Sequence, residues 1–176
     1  MGANIILAMG ALVIFGTFLS SSNHLMIGNT QVAEQNEYYI TALSLAQSVI
    51  DEAKNKDFDQ KTQGLDFEIP SVDSLTPPNR LGTETGEAIA GFDTLSATGY
   101  RSTKLFSDVD DYDGYKRKVN TPRAEGYKVR VTVHYASQTW PDSTMNTKPT
   151  FCKRMDVSVS SPFLPNDVGL SYAFTY

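Results

Sequence analysis

The sequence contains little of what most enzymes and metal centres require. Its 176 residues include one cysteine, Cys152, and two histidines, His24 and His134. A single cysteine excludes an intrachain disulfide and any zinc site built from paired cysteines. Two histidines leave little for a histidine-rich metal site or a Ser-His-Asp triad. The net charge is −5, whereas nucleic-acid-binding domains usually carry a basic surface. The composition therefore argues against an enzyme and against a nucleic-acid partner.

Charge is absent from the beginning of the chain. Residues 1–33 contain no Asp, Glu, Lys or Arg, and residues 5–19 read IILAMGALVIFGTFL. A bilayer core of about 30 Å takes about 20 helical residues. Three interpretations are open: a cleaved secretory signal, a buried core helix of a soluble protein, and a helix inserted in a membrane or buried in a filament. We favour the third, because a secretory signal begins with a basic segment and this sequence does not.

Basic residues do not appear until Lys54. A protein that is inserted through an N-terminal anchor normally carries cytoplasmic Lys or Arg beside that anchor, and these residues set its orientation. We therefore expect that the numbering begins after a basic leader has been removed.

A helical pattern continues beyond the apolar stretch. No proline precedes Pro70, and apolar residues recur three, four or seven positions apart, as on one face of a helix. The members of this stripe are Val32, Tyr39, Leu43, Ala46, Ile50 and Ala53. The pattern predicts one helix from near residue 1 to about residue 58, with local unwinding at residues 19–30 around Gly28. We expect the stripe to pack against the rest of the protein.

The second half of the chain alternates in a way that predicts strands. Residues 127–135, 151–159 and 170–176 place apolar side chains at every second position, with Lys153 interrupting one such row. The intervening prolines and glycines predict irregular structure. The fold class is α+β, with a long N-terminal α-helix spine, hydrophobic in its first half, packed by a C-terminal antiparallel β-sheet head. Its parts are a hydrophobic helix at 1–30, an amphipathic continuation at 31–58, a loop-rich region at 59–125 and a sheet at 126–176, the last three forming one head domain.

An acidic segment lies within the loop-rich region, before the first predicted strand. Its aspartates are Asp108, Asp110, Asp111 and Asp113. Calcium takes six to eight oxygen ligands, which a short acidic loop can supply in part. The spacing does not fit an EF-hand loop, because Asp113 occupies the position that requires glycine. Two interpretations are open, a solvated turn, which we favour, and a calcium site. We predict no other cofactor.

The link between the two longer strands contains Trp140 and Met145. An aromatic loop of this kind is either an adhesive surface or a lid over the core, and we favour the lid. We expect no chemistry from His24 or His134, and we expect Cys152 to be a packing residue because it lacks the partner pattern of a cysteine nucleophile.

The layout of the chain resembles that of type IV pilin-like subunits, a superfamily of pilins, minor pilins and type II secretion pseudopilins. Four segments are similar in residue detail: 42–59 (ALSLAQSVIDEAKNKDFD), 106–115 (FSDVDDYDGY), 126–135 (GYKVRVTVHY) and 153–162 (KRMDVSVSSP). Most of the family carries glutamate at the fifth mature residue, where it is thought to neutralise a neighbouring subunit's N-terminal amine. This chain has Ile5 there, with Asn4 as the nearest polar group.

The resemblance implies a structural subunit of an extracellular type IV pilus-like filament, with a membrane-inserted precursor. Its partners would be copies of itself, the inner membrane before assembly and the filament assembly machinery. The residues expected to pack in the filament core are Ile6, Leu7, Gly10, Val13, Ile14, Phe15 and Phe18. Two alternatives stay open: a pseudopilin of a type II secretion system, and a binding or adhesion module held in the membrane by one helix.

Overall fold

The computed structural model describes residues 2–64 and 71–176. They belong to two compact units, one up to Tyr38 and one from Tyr39 to Tyr176. Helix α1 (Gly2–Ala53) supplies the first unit and the beginning of the second. The second unit, called the head below, contains a five-stranded sheet against which the end of α1 packs. The predicted α+β class, a long N-terminal helix followed by a mostly antiparallel sheet, is therefore confirmed.

Helix α1 is continuous, so the prediction of unwinding at residues 19–30 is wrong. One polar side chain of this segment forms a hydrogen bond within the helix: Thr30 donates its hydroxyl to the carbonyl oxygen of Met26 at 2.9 Å. Each glycine in a helix costs about 1 kcal/mol relative to alanine. In a long helix without proline, isolated glycines at this cost do not interrupt the helix.

The helix ends at Ala53, about five residues before the predicted end. Its final backbone bonds tighten to the i→i−3 type, from Asn55 to Glu52 at 3.2 Å and from Lys56 to Ala53 at 3.0 Å. The Lys56 ammonium group then donates to the carbonyl oxygen of Phe106 at 2.7 Å. These contacts turn the chain away from the helix axis and towards the acidic segment.

The buried face of α1 is shorter than the predicted stripe. Val32 and Tyr39 are exposed, and Leu43 is only partly covered. The buried residues are Ala42, Ala46, Val49, Ile50 and Ala53. The expectation that the stripe packs on the head therefore holds for Ala46, Ile50 and Ala53 and is wrong for Val32, Tyr39 and Leu43.

The sheet has its strands in chain order. They are β1 (Asp93–Thr94), β2 (Lys116–Val119), β3 (Tyr127–Tyr135), β4 (Cys152–Ser160) and β5 (Val168–Thr175). Strand β1 pairs with β2 in parallel, and the other pairs are antiparallel. The three predicted strands correspond to β3, β4 and β5 within two residues at each end.

Strands β3 and β4 form the centre of the core through matched side chains. Val131 lies opposite Val157, Val133 opposite Met155, and Tyr135 opposite Lys153. All six side chains are buried. The alternation that predicted β3 is thus the alternation between its buried and exposed faces.

Two strands and a short helix in the irregular region were not predicted. Strand β2 reads KRKV, a composition that suggests an exposed segment, yet Arg117 is buried. Its guanidinium group donates to Glu52 at 2.5 Å, and Glu52 also accepts from the hydroxyl groups of Ser102 at 2.6 Å and Tyr112 at 2.9 Å. Ser102 begins α2 (Ser102–Leu105). A buried ion pair therefore joins the end of α1 to β2 and α2.

Candidate functional site

The residues expected to pack in a filament core lie on the exposed surface of α1. Ile6, Leu7, Val13, Ile14, Phe15 and Phe18 are between 59% and 72% exposed. Gly10 is also exposed, and a side chain added there would meet no atom of the chain within 4 Å. The apolar side chains point in all directions around the helix, because residues 5–19 contain Thr17 as their one hydrogen-bonding side chain.

By length and composition, α1 is the one helix among residues 2–64 and 71–176 that could cross a bilayer. Its most apolar window of 18 residues has a mean hydropathy of 2.0, and none of that window is buried within the chain. The first unit therefore presents an apolar surface that nothing in the described chain covers.

The acidic segment is folded differently from the solvated turn that we favoured. Asp108, Asp110 and Asp111 are fully buried, so that interpretation is wrong for these three residues. The physical reason is local hydrogen bonding. Asp108 Oδ1 accepts from the backbone amides of Asp110 and Asp111 at 3.0 and 3.3 Å, and Asp111 Oδ2 accepts from those of Ser107 and Asp108 at 2.7 and 3.1 Å. The carboxylates thus replace water as the partners of the turn's own backbone.

Asp113 is separate from this group. It is half-buried, and its Oδ1 accepts from the backbone amide of Val133 on β3 at 2.9 Å. The fourth predicted calcium ligand therefore fixes the turn to the sheet instead of joining the three buried carboxylates.

Two glutamates that the sequence did not single out approach the buried aspartates. Glu84, Asp108 and Asp110 each offer a carboxylate oxygen, and these oxygens lie within 4.8 Å of one another. The same holds for Glu84, Glu87 and Asp111. We call these five residues, Glu84, Glu87, Asp108, Asp110 and Asp111, the carboxylate cluster. Glu84 and Glu87 lie in a loop that is distant in sequence, so spacing alone did not reveal them.

Lys153 provides a cation at one side of the cluster. Its ammonium group is fully buried and donates to Asp110 Oδ1 at 2.6 Å, Asp59 Oδ2 at 2.9 Å and the carbonyl oxygen of Phe58 at 2.7 Å. Lys153, which interrupts the apolar row of β4, therefore links the sheet to the acidic segment. Asp59 is also hydrogen-bonded to the backbone and side chain of Thr76.

The pKa of Asp59 shifts in the opposite direction from the pKa values of Asp108 and Glu84. Burial opposes the ionisation of Asp59, but the charge and hydrogen bond of Lys153, together with backbone hydrogen bonds from Lys61 and Thr76, outweigh burial and lower the pKa of Asp59. Burial raises the pKa of Asp108 to about 9, with the neighbouring Asp110 adding to the shift. Burial, together with a hydrogen bond to Glu87, raises the pKa of Glu84 to about 8. Asp108 and Glu84 therefore keep a proton at neutral pH, because the cluster resists ionisation even with Lys153 beside it.

The remaining candidate residues lie elsewhere. Trp140 is 73% exposed, so the lid interpretation is wrong for it, and the adhesion interpretation stays a prediction. Met145 is less exposed, and its backbone amide donates to the carbonyl oxygen of Tyr135 at 2.7 Å.

Cys152 is fully buried, as expected of a packing residue. His134 is half-buried on β3, with its Nε2 3.7 Å from a carboxylate oxygen of Asp156, and His24 is exposed on α1.

We expect the substitution Lys153→Met to lower the free energy of unfolding by about 3–5 kcal/mol, because it leaves the buried carboxylates of Asp59 and Asp110 without their cation. Urea unfolding of the full chain in detergent measures this change. The matched control is Lys148→Met, at an exposed loop position, which we expect to change stability by no more than about 0.5 kcal/mol. Equal effects of the two substitutions would contradict the role assigned to Lys153.

We also expect the stability of the head to fall as the pH rises from about 5 to about 9 when EDTA excludes divalent cations. The pKa values of Asp108 and Glu84 are raised in the folded state, so between about pH 4 and those values the folded state binds more protons than the unfolded state. Asp59, whose pKa is lowered, is ionised throughout this range and adds no slope. Unfolding at several pH values tests this, and constant or rising stability would contradict it.

No family model, curated protein or solved structure matches this chain. What the structure shows is a long apolar N-terminal helix packed on an antiparallel-rich sheet, which is a pilin-like α+β arrangement.

Proposed function

We propose that this protein is the structural subunit of an extracellular filament of the type IV pilus kind, polymerising through its uncharged N-terminal helix. The observation that carries the proposal is the exposed apolar surface of α1, which extends around the whole helix and contains no charge before Glu34. A helix that is apolar on every side is stable only where its surface is removed from water. A bilayer provides that environment before assembly, and a bundle of identical helices provides it afterwards.

The composition of the helix favours a bundle of copies over a permanent anchor. Gly10 and Gly16 have no atom of the chain within 4 Å of an added side chain, so another helix can approach closely at both positions. The apolar side chains nearby, including Val13 and Ile14, then provide contact area worth about 25 cal/mol per Å² relative to water. Without charged residues, the helix leaves the bilayer for such a bundle at little electrostatic cost.

The head suits the outside of a filament. All Asp, Glu, Lys and Arg residues except Glu34 and Glu37 lie in the head, which is a compact unit of its own. In the proposed filament the α1 helices associate in the interior and the heads face the solvent. The resemblance of the fold to pilin-like proteins supports this arrangement, as does the exposed loop with Trp140 as a surface for contacts with other cells.

We expect the substitution Ile14→Asp to abolish filaments, because it would bury an unpaired carboxylate among apolar helices. Electron microscopy of material sheared from cells that express the chain measures filament yield. Ile14→Leu keeps the apolar contact and Gln35→Glu adds a charge to the same helix outside the apolar stretch, so both controls should retain filaments. Normal yield from Ile14→Asp would contradict packing of this surface in a filament core.

The wild-type chain also distinguishes the proposal from its alternatives. Long uniform filaments that contain it support a pilus subunit. Short filaments confined to the cell envelope would instead indicate a secretion pseudopilin. A monomer that stays in the membrane fraction, with no filaments, would indicate an anchored binding module.

A further inference from the structure

In each buried aspartate of the carboxylate cluster, only one of the two carboxylate oxygens accepts a hydrogen bond from the described part of the chain. Asp108 Oδ1 and Asp111 Oδ2 accept backbone hydrogen bonds, and Asp110 Oδ1 accepts from Lys153. The other oxygen of each carboxylate is buried and has no hydrogen-bond partner among the described residues, and the same is true of one oxygen of Glu84. Four oxygens are thus left over, namely Asp108 Oδ2, Asp110 Oδ2, Asp111 Oδ1 and Glu84 Oε2.

Buried carboxylate oxygens without partners are costly, and proteins normally pair them or use them to coordinate metal ions. The available pairing is incomplete here. Lys153 is the ammonium group in contact with the cluster in the described structure, and it also neutralises Asp59. Five carboxylates share this region with that one cation, so the arrangement lacks positive charge.

The spacing of the carboxylates fits a single large cation. Calcium binds oxygen at about 2.3–2.6 Å, so two ligands on opposite sides of the ion are separated by about 5 Å. The oxygens of Glu84, Asp108 and Asp110 lie within 4.8 Å of one another, as do those of Glu84, Glu87 and Asp111. Glu84 belongs to both sets, so a cation bound at Glu84 can take ligands from either set.

We propose that the carboxylate cluster binds one calcium ion, which fastens the loop carrying Glu84 and Glu87 to the buried turn at Asp108–Asp111. All of its donors are oxygen atoms, which hard cations prefer, and no histidine or thiol is present to favour zinc. Magnesium usually keeps several bound waters and requires near-octahedral geometry, whereas this site is built of closely spaced buried carboxylates. Glu84 and Glu87 are only half-buried, so they mark the side from which the ion enters.

The test is a calcium titration of the full chain in detergent after treatment with EDTA. Isothermal titration calorimetry with calcium chloride should give a stoichiometry of one ion per chain. At a calcium concentration about 100 times Kd, the melting temperature should rise by about 5–10 °C over the value in EDTA. The same concentration of magnesium chloride should give a much smaller rise.

The decisive variant is Asp108→Asn. The asparagine carbonyl oxygen can still accept the two backbone hydrogen bonds of Asp108 Oδ1, while an amide group replaces the unpartnered oxygen. We expect this variant to melt in EDTA close to the temperature of the wild type, because the amide is similar in shape and adds no charge to the buried turn, and to lose most of the calcium-induced rise. Asp73→Asn, at an exposed position outside the cluster, should keep the full rise.

Three results would overturn the proposal: no binding heat and no change in melting temperature with calcium, an equal response to magnesium, or a full calcium response in Asp108→Asn. The filament proposal would survive any of them, because it depends on α1 and not on this cluster.

Discussion

The ammonium group of Lys153 connects three parts of the head: strand β4, the segment after α1 and the acidic turn. It lies near the beginning of β4, in an otherwise apolar row, and reaches Asp59, after α1, and Asp110, in the acidic turn. Such a group is expensive to bury, so it is retained only where its partners are fixed around it. Both carboxylates are also fully buried, so the three charges attach the irregular region to the sheet together with the bond between Asp113 and Val133.

A second, largely buried ion pair connects the end of α1 to β2, on the other side of β3. Glu52, near the end of α1, binds Arg117 of β2, and the hydroxyl groups of Ser102 and Tyr112 complete its hydrogen bonds. The long connection between helix and sheet is therefore held by specific polar contacts as well as by apolar packing. Polar contacts of this kind require one arrangement of the chain, whereas apolar side chains tolerate several.

The parts of the fold with a regular hydrophobic period could be predicted from the sequence. Strand β3 alternates without exception, and the end of α1 keeps its apolar residues on one face, so both were recognised.

Strand β2 was missed because its buried residue is an arginine, whose partner in the ion pair, Glu52, is far away in the chain. The buried state of the acidic turn was missed for a similar reason, since its partners are its own backbone amides and Lys153. The sequence around Glu84 and Glu87 does not indicate a site, because only the folded loop brings these residues close to the aspartates.

The single thiol of Cys152 has a consequence for where the protein can fold. It is fully buried on β4, burial raises its pKa, and the sequence has no second cysteine to pair with it. The head is therefore closed by ion pairs and packing instead of by a disulfide. Its folding needs neither an oxidant nor a disulfide isomerase, so the head can reach the same structure in a reducing compartment as in an oxidising one, and reductants should leave it intact.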